Sequence, residues 1–230
     1  MHKIKFTLLT ALLCFTFISA KAQIGERRNI FSLGGNVGVN LSSATFEPTI
    51  KQGMLMGPNL GFSARYITEK YFAMICGAQL EINFAQRGWK EKFEGDTSNS
   101  YSRTMNYVEI PFLAHLAFGK ETAGVQFFIH LGPQVGFFIG DKEKFSDKFE
   151  PNQHVVEQYN KSVDNKFDYG IAGGLGIEIK TKKAGNFLIE GRYYFGLADF
   201  YDNSKKEYFD RSAHNVISIK LSYLYDLIKK

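Results

Sequence analysis

Phe72-Ala73-Met74-Ile75-Cys76-Gly77-Ala78-Gln79-Leu80-Glu81-Ile82-Asn83-Phe84 decides the reading of this chain. Phe72, Met74, Cys76, Ala78, Leu80, Ile82 and Phe84 take every second place, and Gly77, Gln79, Glu81 and Asn83 fall between them. Successive side chains of a strand point to opposite faces, so this stretch reads as a strand with one apolar face and one face of polar residues and glycine. A helix would bring residues three and four apart together and mix the two sets.

The same period of two recurs on both sides. Upstream, Leu33, Val37, Val39 and Leu41 alternate with Gly34, Asn36, Gly38 and Asn40, and Leu60, Phe62 and Ala64 alternate with Gly61, Ser63 and Arg65. Downstream, five further segments repeat the pattern up to Ile217, Ile219, Leu221, Tyr223 and Tyr225, set against Ser218, Lys220 and Ser222. The joints between the eight segments fall at about 42–55, 68–70, 88–104, 119–124, 141–167, 181–185 and 199–214, alternately long and short. Brief periplasmic turns and extended outer loops give this rhythm in an outer-membrane barrel. The expected fold is all-β: an eight-stranded antiparallel up-and-down transmembrane β-barrel.

A soluble eight-stranded carrier of an apolar ligand would share the alternation with its faces reversed, and two features weigh against it. Glycines crowd the polar face at Gly34, Gly38, Gly61, Gly77, Gly132, Gly136, Gly170, Gly174, Gly176 and Gly196. Glycine weakens an exposed strand but makes room in a narrow interior. With both termini periplasmic, Phe31, Tyr66, Phe72, Phe118, Phe127, Phe187 and Tyr225 gather at one end of the apolar face. Phe84, Phe137, Tyr169 and Phe195 mark the other end, leaving an apolar band about 25 Å tall between two aromatic girdles.

The N-terminus reads as an export signal. Lys3 and Lys5 precede an apolar run from Phe6 to Ile18, and Ala20-Lys21-Ala22 supplies small residues for cleavage. The expected domains are a signal peptide at 1–22 and an outer-membrane barrel at 23–230. Cleavage lowers the formal net charge from +5 to +2, because Lys3, Lys5 and Lys21 leave with the signal. No basic stripe for nucleic acid survives. Of the two cysteines only Cys76 remains, so no internal disulfide can form.

The polar face nominates the interior. Arg65, Glu81, Glu109, Glu178, Glu190, Arg192 and Lys220 sit mid-strand, with Arg87 near the upper rim, and they are expected to form an ion-paired plug. Eight strands enclose a lumen that side chains just fill, whereas water-filled porins use about 16–18. His115 and His130 read as interior hydrogen-bonding residues of neighbouring strands. Asp210, Ser212 and His214, with Asp199 and Asp202, are the one hydrolase-like cluster, but no constrained nucleophile turn accompanies them. Asp199-Phe200-Tyr201-Asp202-Asn203 lacks calcium-loop spacing, and Gly174-Leu175-Gly176 has no helix behind it to receive a phosphate. The expectation is a non-enzyme with no cofactor and no metal. Its partners would be outer-membrane lipid and a protein or glycan at the long loops, chiefly the third, where Asp141-Lys142-Glu143-Lys144 is followed by Phe145, Phe149 and Tyr159.

Four stretches carry a family resemblance: Gly34-Gly35-Asn36-Val37-Gly38-Val39-Asn40-Leu41-Ser42, Tyr107-Val108-Glu109-Ile110-Pro111, Gly132-Pro133-Gln134-Val135-Gly136 and Gly191-Arg192-Tyr193-Tyr194-Phe195-Gly196-Leu197. In order and spacing the mature chain resembles the PorT-like, or "porin family", outer-membrane barrels. The resemblance implies the scaffold and the location. An accessory part in a secretion or uptake complex is its functional implication, but fold alone does not carry function.

Overall fold

The computed structural model describes residues 25–93, 99–147, 149–152, 156–203 and 208–229. The signal peptide expected at 1–22 lies outside them. Eight strands follow in order: β1 Glu26–Glu47, β2 Gln52–Tyr71, β3 Met74–Glu91, β4 Tyr101–Gly119, β5 Gly124–Phe145, β6 Phe167–Lys180, β7 Asn186–Gly196 and β8 Arg211–Lys229. Each pairs with its neighbours in sequence and β1 closes on β8, so Val37 faces Leu60 on one side and Leu221 on the other. Every pairing is antiparallel. Closure leaves no sheet edge, which a strand in hydrocarbon could not tolerate.

The faces are inside out relative to a soluble barrel. Phe62 is 78 % exposed while Glu81 is 1 % exposed, and the same contrast runs round the wall. A soluble carrier would show the opposite. Glycine serves the interior as expected at two places on β6, where a Cβ on Gly176 would run into the Phe128 ring and one on Gly174 into the Glu190 carboxylate.

The strands outrun the boundaries read from sequence. The outer connections shrink to 48–51, 92–100, 146–166 and 197–210, because the period of two continues past the membrane with its polarity reversed. On β4 the outward residues change from Phe112, Ile110 and Val108 to Asn106, Thr104 and Ser102. Over the same span the inward residues run from Glu109 to Tyr107, Met105, Arg103 and Tyr101, with Arg103 the one charge among the last four. Outside the bilayer the wall meets water, so apolar side chains turn inward and build an ordinary core. The first short turn also moves, from 68–70 to Phe72–Ala73. Glu69 and Lys70 are still strand residues, and Phe72 caps the hairpin at φ 52° instead of starting the strand face.

Candidate functional site

The inward residues of β4 mark the levels of the lumen. At the periplasmic end Ala117 joins Ile30, Ile67, Ile75, Phe128, Leu188 and Leu224 in a buried apolar floor. They come from the periplasmic ends of seven strands, with buried Gln126, Lys180 and Asn186 lying beyond them on β5, β6 and β7.

Above the floor lies a band of paired charges. Arg65 grips Glu178 with two hydrogen bonds of 2.7 Å. Arg192 donates to Glu81 at 3.0 and 2.8 Å and to Glu190 at 2.8 Å twice, and the Lys220 ammonium reaches Glu81 at 2.6 Å. Gln79 and Asn83 add bonds of 2.7 and 2.9 Å to the same Glu81 carboxylate. His115 Nδ1 and His130 Nε2 lie 2.8 Å apart, and His130 Nδ1 is 3.1 Å from Glu190, off the line of a straight hydrogen bond. A buried charge survives only when paired and hydrogen-bonded, and the fork of Arg192 meets that requirement for two carboxylates at once.

Leu113, Ala172, Tyr194 and Val216 form a thin apolar layer above this band. Next comes Arg87, bonded to Glu109 at 2.6 Å and Asp168 at 2.5 Å, with its guanidinium 4.8 Å from the Tyr107 ring centre and 4.5 Å from that of Tyr194. The Tyr194 hydroxyl donates to Asp168 at 2.7 Å, and the Tyr107 hydroxyl lies 3.1 Å from His214 Nε2.

The outer mouth is closed by aromatic residues. Phe46, Trp89, Tyr101, Phe200, Tyr201 and Phe209 pack in one buried cluster, with Trp89 stacked on Phe200 at 5.6 Å. The third outer connection folds over them. A short 3-10 turn, Val156–Gln158, buries Gln158, whose side-chain oxygen accepts from the Trp89 indole at 3.2 Å. Gln158 also donates to Glu91 at 2.8 Å, and the Tyr159 hydroxyl to Glu91 at 2.7 Å. Burial and that carboxylate hold the Tyr159 phenol above its ordinary value, and burial does the same to Tyr201. At the opposite rim Glu121, in the turn between β4 and β5, meets Arg28 and, at 3.3 Å, Lys70. The Arg28 bond lowers the Glu121 carboxyl below its ordinary value.

All seven charged residues nominated by sequence therefore point inward, and the structure sorts them. Arg65 joins Glu178, while Glu81, Glu190, Arg192 and Lys220 form one cluster. Glu109 stands apart with Arg87. Sequence reasoning missed Asp168 and the tyrosines around Arg87. It also missed the aromatic mouth, although Tyr101-Ser102-Arg103-Thr104-Met105-Asn106-Tyr107 carries the reversed alternation openly.

The hydrolase-like cluster does not assemble. Ser212 Oγ accepts from the Tyr201 amide at 2.9 Å, His214 is turned to Tyr107, and the Asp210 amide bonds the Glu47 carbonyl at 2.8 Å. Both Asp199 oxygens take hydrogen bonds, from the Ser212 amide at 2.6 Å and from Asn203 at 3.2 Å. Among the described residues no group of three His, Cys, Asp or Glu side chains is placed to hold a metal ion.

A closed eight-stranded wall, apolar outside and polar within, finds its counterpart in one family: residues 21–202 match the model of the outer membrane protein beta-barrel domain. The chain belongs to that family. It is an outer-membrane protein, and its apolar wall faces lipid. Similar solved structures include Ail, the attachment invasion locus protein of Yersinia pestis, at 15 % identity, covering 87 % of this chain and 99 % of that one with a TM-score of 0.37. OprG from Pseudomonas aeruginosa stands at 12 %, 87 %, 98 % and 0.44, and Neisserial surface protein A at 11 %, 85 %, 97 % and 0.40. No curated protein matches the sequence. The family match concerns barrel domains at large, and the finer PorT-like likeness rests on the four sequence stretches alone.

Proposed function

We propose that this barrel is a non-conducting, non-enzymatic scaffold that holds a preorganised binding surface outside the outer membrane. The observation that carries the reading is the closure of the lumen at both ends, by the apolar floor around Phe128 and the aromatic mouth around Trp89, with paired charges filling the space between. A conduction path would need water-lined continuity, and an active site would need a nucleophile free of structural bonds. Ser212 and His214 are both bound into the wall.

The third connection supports a binding role. Gln158 and Val163 are buried against the mouth, whereas Val156, Glu157, Asn160, Ser162, Asp164 and Asn165 are exposed. A loop fixed from beneath and free above has its ordering entropy settled before any partner arrives. An accessory role in a secretion or uptake complex is one use of such a surface, and a protein or glycan partner is its expected ligand. The test compares the intact barrel with one whose residues 146–166 are replaced by a four-residue turn, both displayed on cells and screened on protein and glycan arrays. Loss of the binding profile supports the reading; an unchanged profile overturns it.

A further inference from the structure

The run Asp141-Lys142-Glu143-Lys144 is balanced in sequence, but the strand sorts it onto two surfaces. Asp141 and Glu143 turn to Arg103, at 2.5 and 3.1 Å, and Glu143 also accepts from Tyr101 at 2.6 Å. Lys142 and Lys144 stand exposed on the outer wall. The same sorting occurs at 90–92, where Glu91 is buried under Gln158 and Tyr159 while Lys90 and Lys92 are exposed.

Register brings the lysines together. Ser102 on β4 pairs with Lys90 of β3 on one side and Lys144 of β5 on the other, and Thr104 pairs with Lys142. Above Asn106 the outward face of β3, β4 and β5 therefore offers lysines and hydroxyls, with no outward carboxylate on these strands among the described residues. None of the four lysines has an ion-pair partner among the described residues. Neighbouring strands lie about 4.8 Å apart, so Lys90 and Lys144 flank a gap of roughly 10 Å with Ser102 at its centre.

Height selects the ligand. Ile139 is the last outward apolar residue of β5 and is exposed. In a barrel strand tilted by about 40° each residue climbs roughly 2.5 Å, so Lys142 stands about 8 Å and Lys144 about 13 Å beyond Ile139. The headgroup layer of an ordinary phospholipid is only about 5–8 Å deep on each side, within reach of Lys142 alone. A tall phosphorylated sugar headgroup would span both levels, its phosphates on the ammonium groups and its hydroxyls on Ser102 and Thr104.

We propose that the outward face of β3–β5, through Lys90, Lys142 and Lys144, with Lys92 beside them, docks the phosphorylated glycolipid headgroups of the outer leaflet. This sector of the wall would carry a selected lipid shell and fix how the barrel sits in its membrane.

The experiment is native mass spectrometry of the full mature barrel released from micelles containing lipid A with both phosphates, its dephosphorylated form, or phosphatidylglycerol. Two variants are compared with the parent: K90Q/K142Q/K144Q, and K120Q/K182Q/K183Q in the exposed periplasmic turns. The parent should retain the bisphosphorylated lipid about tenfold over the dephosphorylated one, and the first triple should lower that ratio towards unity while the second leaves it intact. A gel band that shifts on heating as the parent's does shows that each variant folds, and single variants K142Q and K144Q serve if a triple does not. Equal loss in both triples, no loss in the first, or retention of phosphatidylglycerol as strong as that of lipid A would overturn the proposal. So would displacement of the lipid by equimolar dextran sulfate, which would mark a site for soluble polyanions.

Discussion

Arg192 on β7 and Glu81 on β3 meet across the lumen through two hydrogen bonds of 3.0 and 2.8 Å, 111 residues apart in sequence. The pair ties opposite walls of the barrel together, and Glu190 and Lys220 complete the cluster. Breaking a buried pair from one side leaves an uncompensated charge, which costs about 3–5 kcal/mol. Arg192→Met should therefore lower the unfolding free energy of the barrel in lipid, read from urea titration, by that order. Lys182→Met, in an exposed turn, should stay within about 0.5 kcal/mol of the parent. Equal effects in the two variants would contradict a structural role for the cluster.

Gly176 tests the packing of the interior. An alanine there meets the Phe128 ring and lies 2.5 Å from the Ile189 carbonyl, so Gly176→Ala should destabilise by about 1–3 kcal/mol as overpacking does. Phe128→Leu in the same chain should recover part of the loss, because the ring yields and the carbonyl does not. Additive penalties in the double-mutant cycle would show that the two positions do not touch.

Trp89 is the one tryptophan of the chain and is fully buried, which makes it a clean reporter of the outer mouth. Gln158→Ala removes the acceptor of its indole N–H and frees the third connection from beneath. The expected result is a red-shifted Trp89 emission with several-fold stronger acrylamide quenching and an unchanged barrel band on unheated gels. Emission identical to the parent would mean that the loop does not seal the mouth.

Glu121 carries an acid dependence at the periplasmic rim. Arg28 lowers its carboxyl in the folded state, so the contact stabilises above the ordinary carboxylate range and is lost as pH falls through the lowered folded value. Glu121→Gln should leave a barrel whose stability falls less between neutral pH and pH 3 than that of the parent. Chemical denaturation at several pH values measures this, and parallel curves for the two proteins would refute it.

The sequence showed the strands most clearly where they cross lipid. There each second residue must be apolar, so Leu80, Ile82 and Phe84 leave no choice of face. It showed the edges poorly. Above Asn106 the wall leaves lipid, Ser102 and Thr104 replace apolar residues outside, and what looked like the start of a long loop is still strand. The seven nominated interior charges were legible from parity alone, but their partners were not, since Arg65 with Glu178 and Arg192 with Glu81 depend on which walls face each other across the closed ring. The same parity hid the lysine face, because Asp141 and Glu143 cancel Lys142 and Lys144 in any count of charge and separate from them only in space.

Single-channel recording tests the sealed lumen most directly. The purified mature barrel, inserted in a planar bilayer at 100 mV in molar potassium chloride, should give no defined conductance steps, because Phe128 with its neighbours closes one end and Trp89 with Phe200 the other. Regular open steps that disappear when the protein is heat-denatured beforehand would contradict the account.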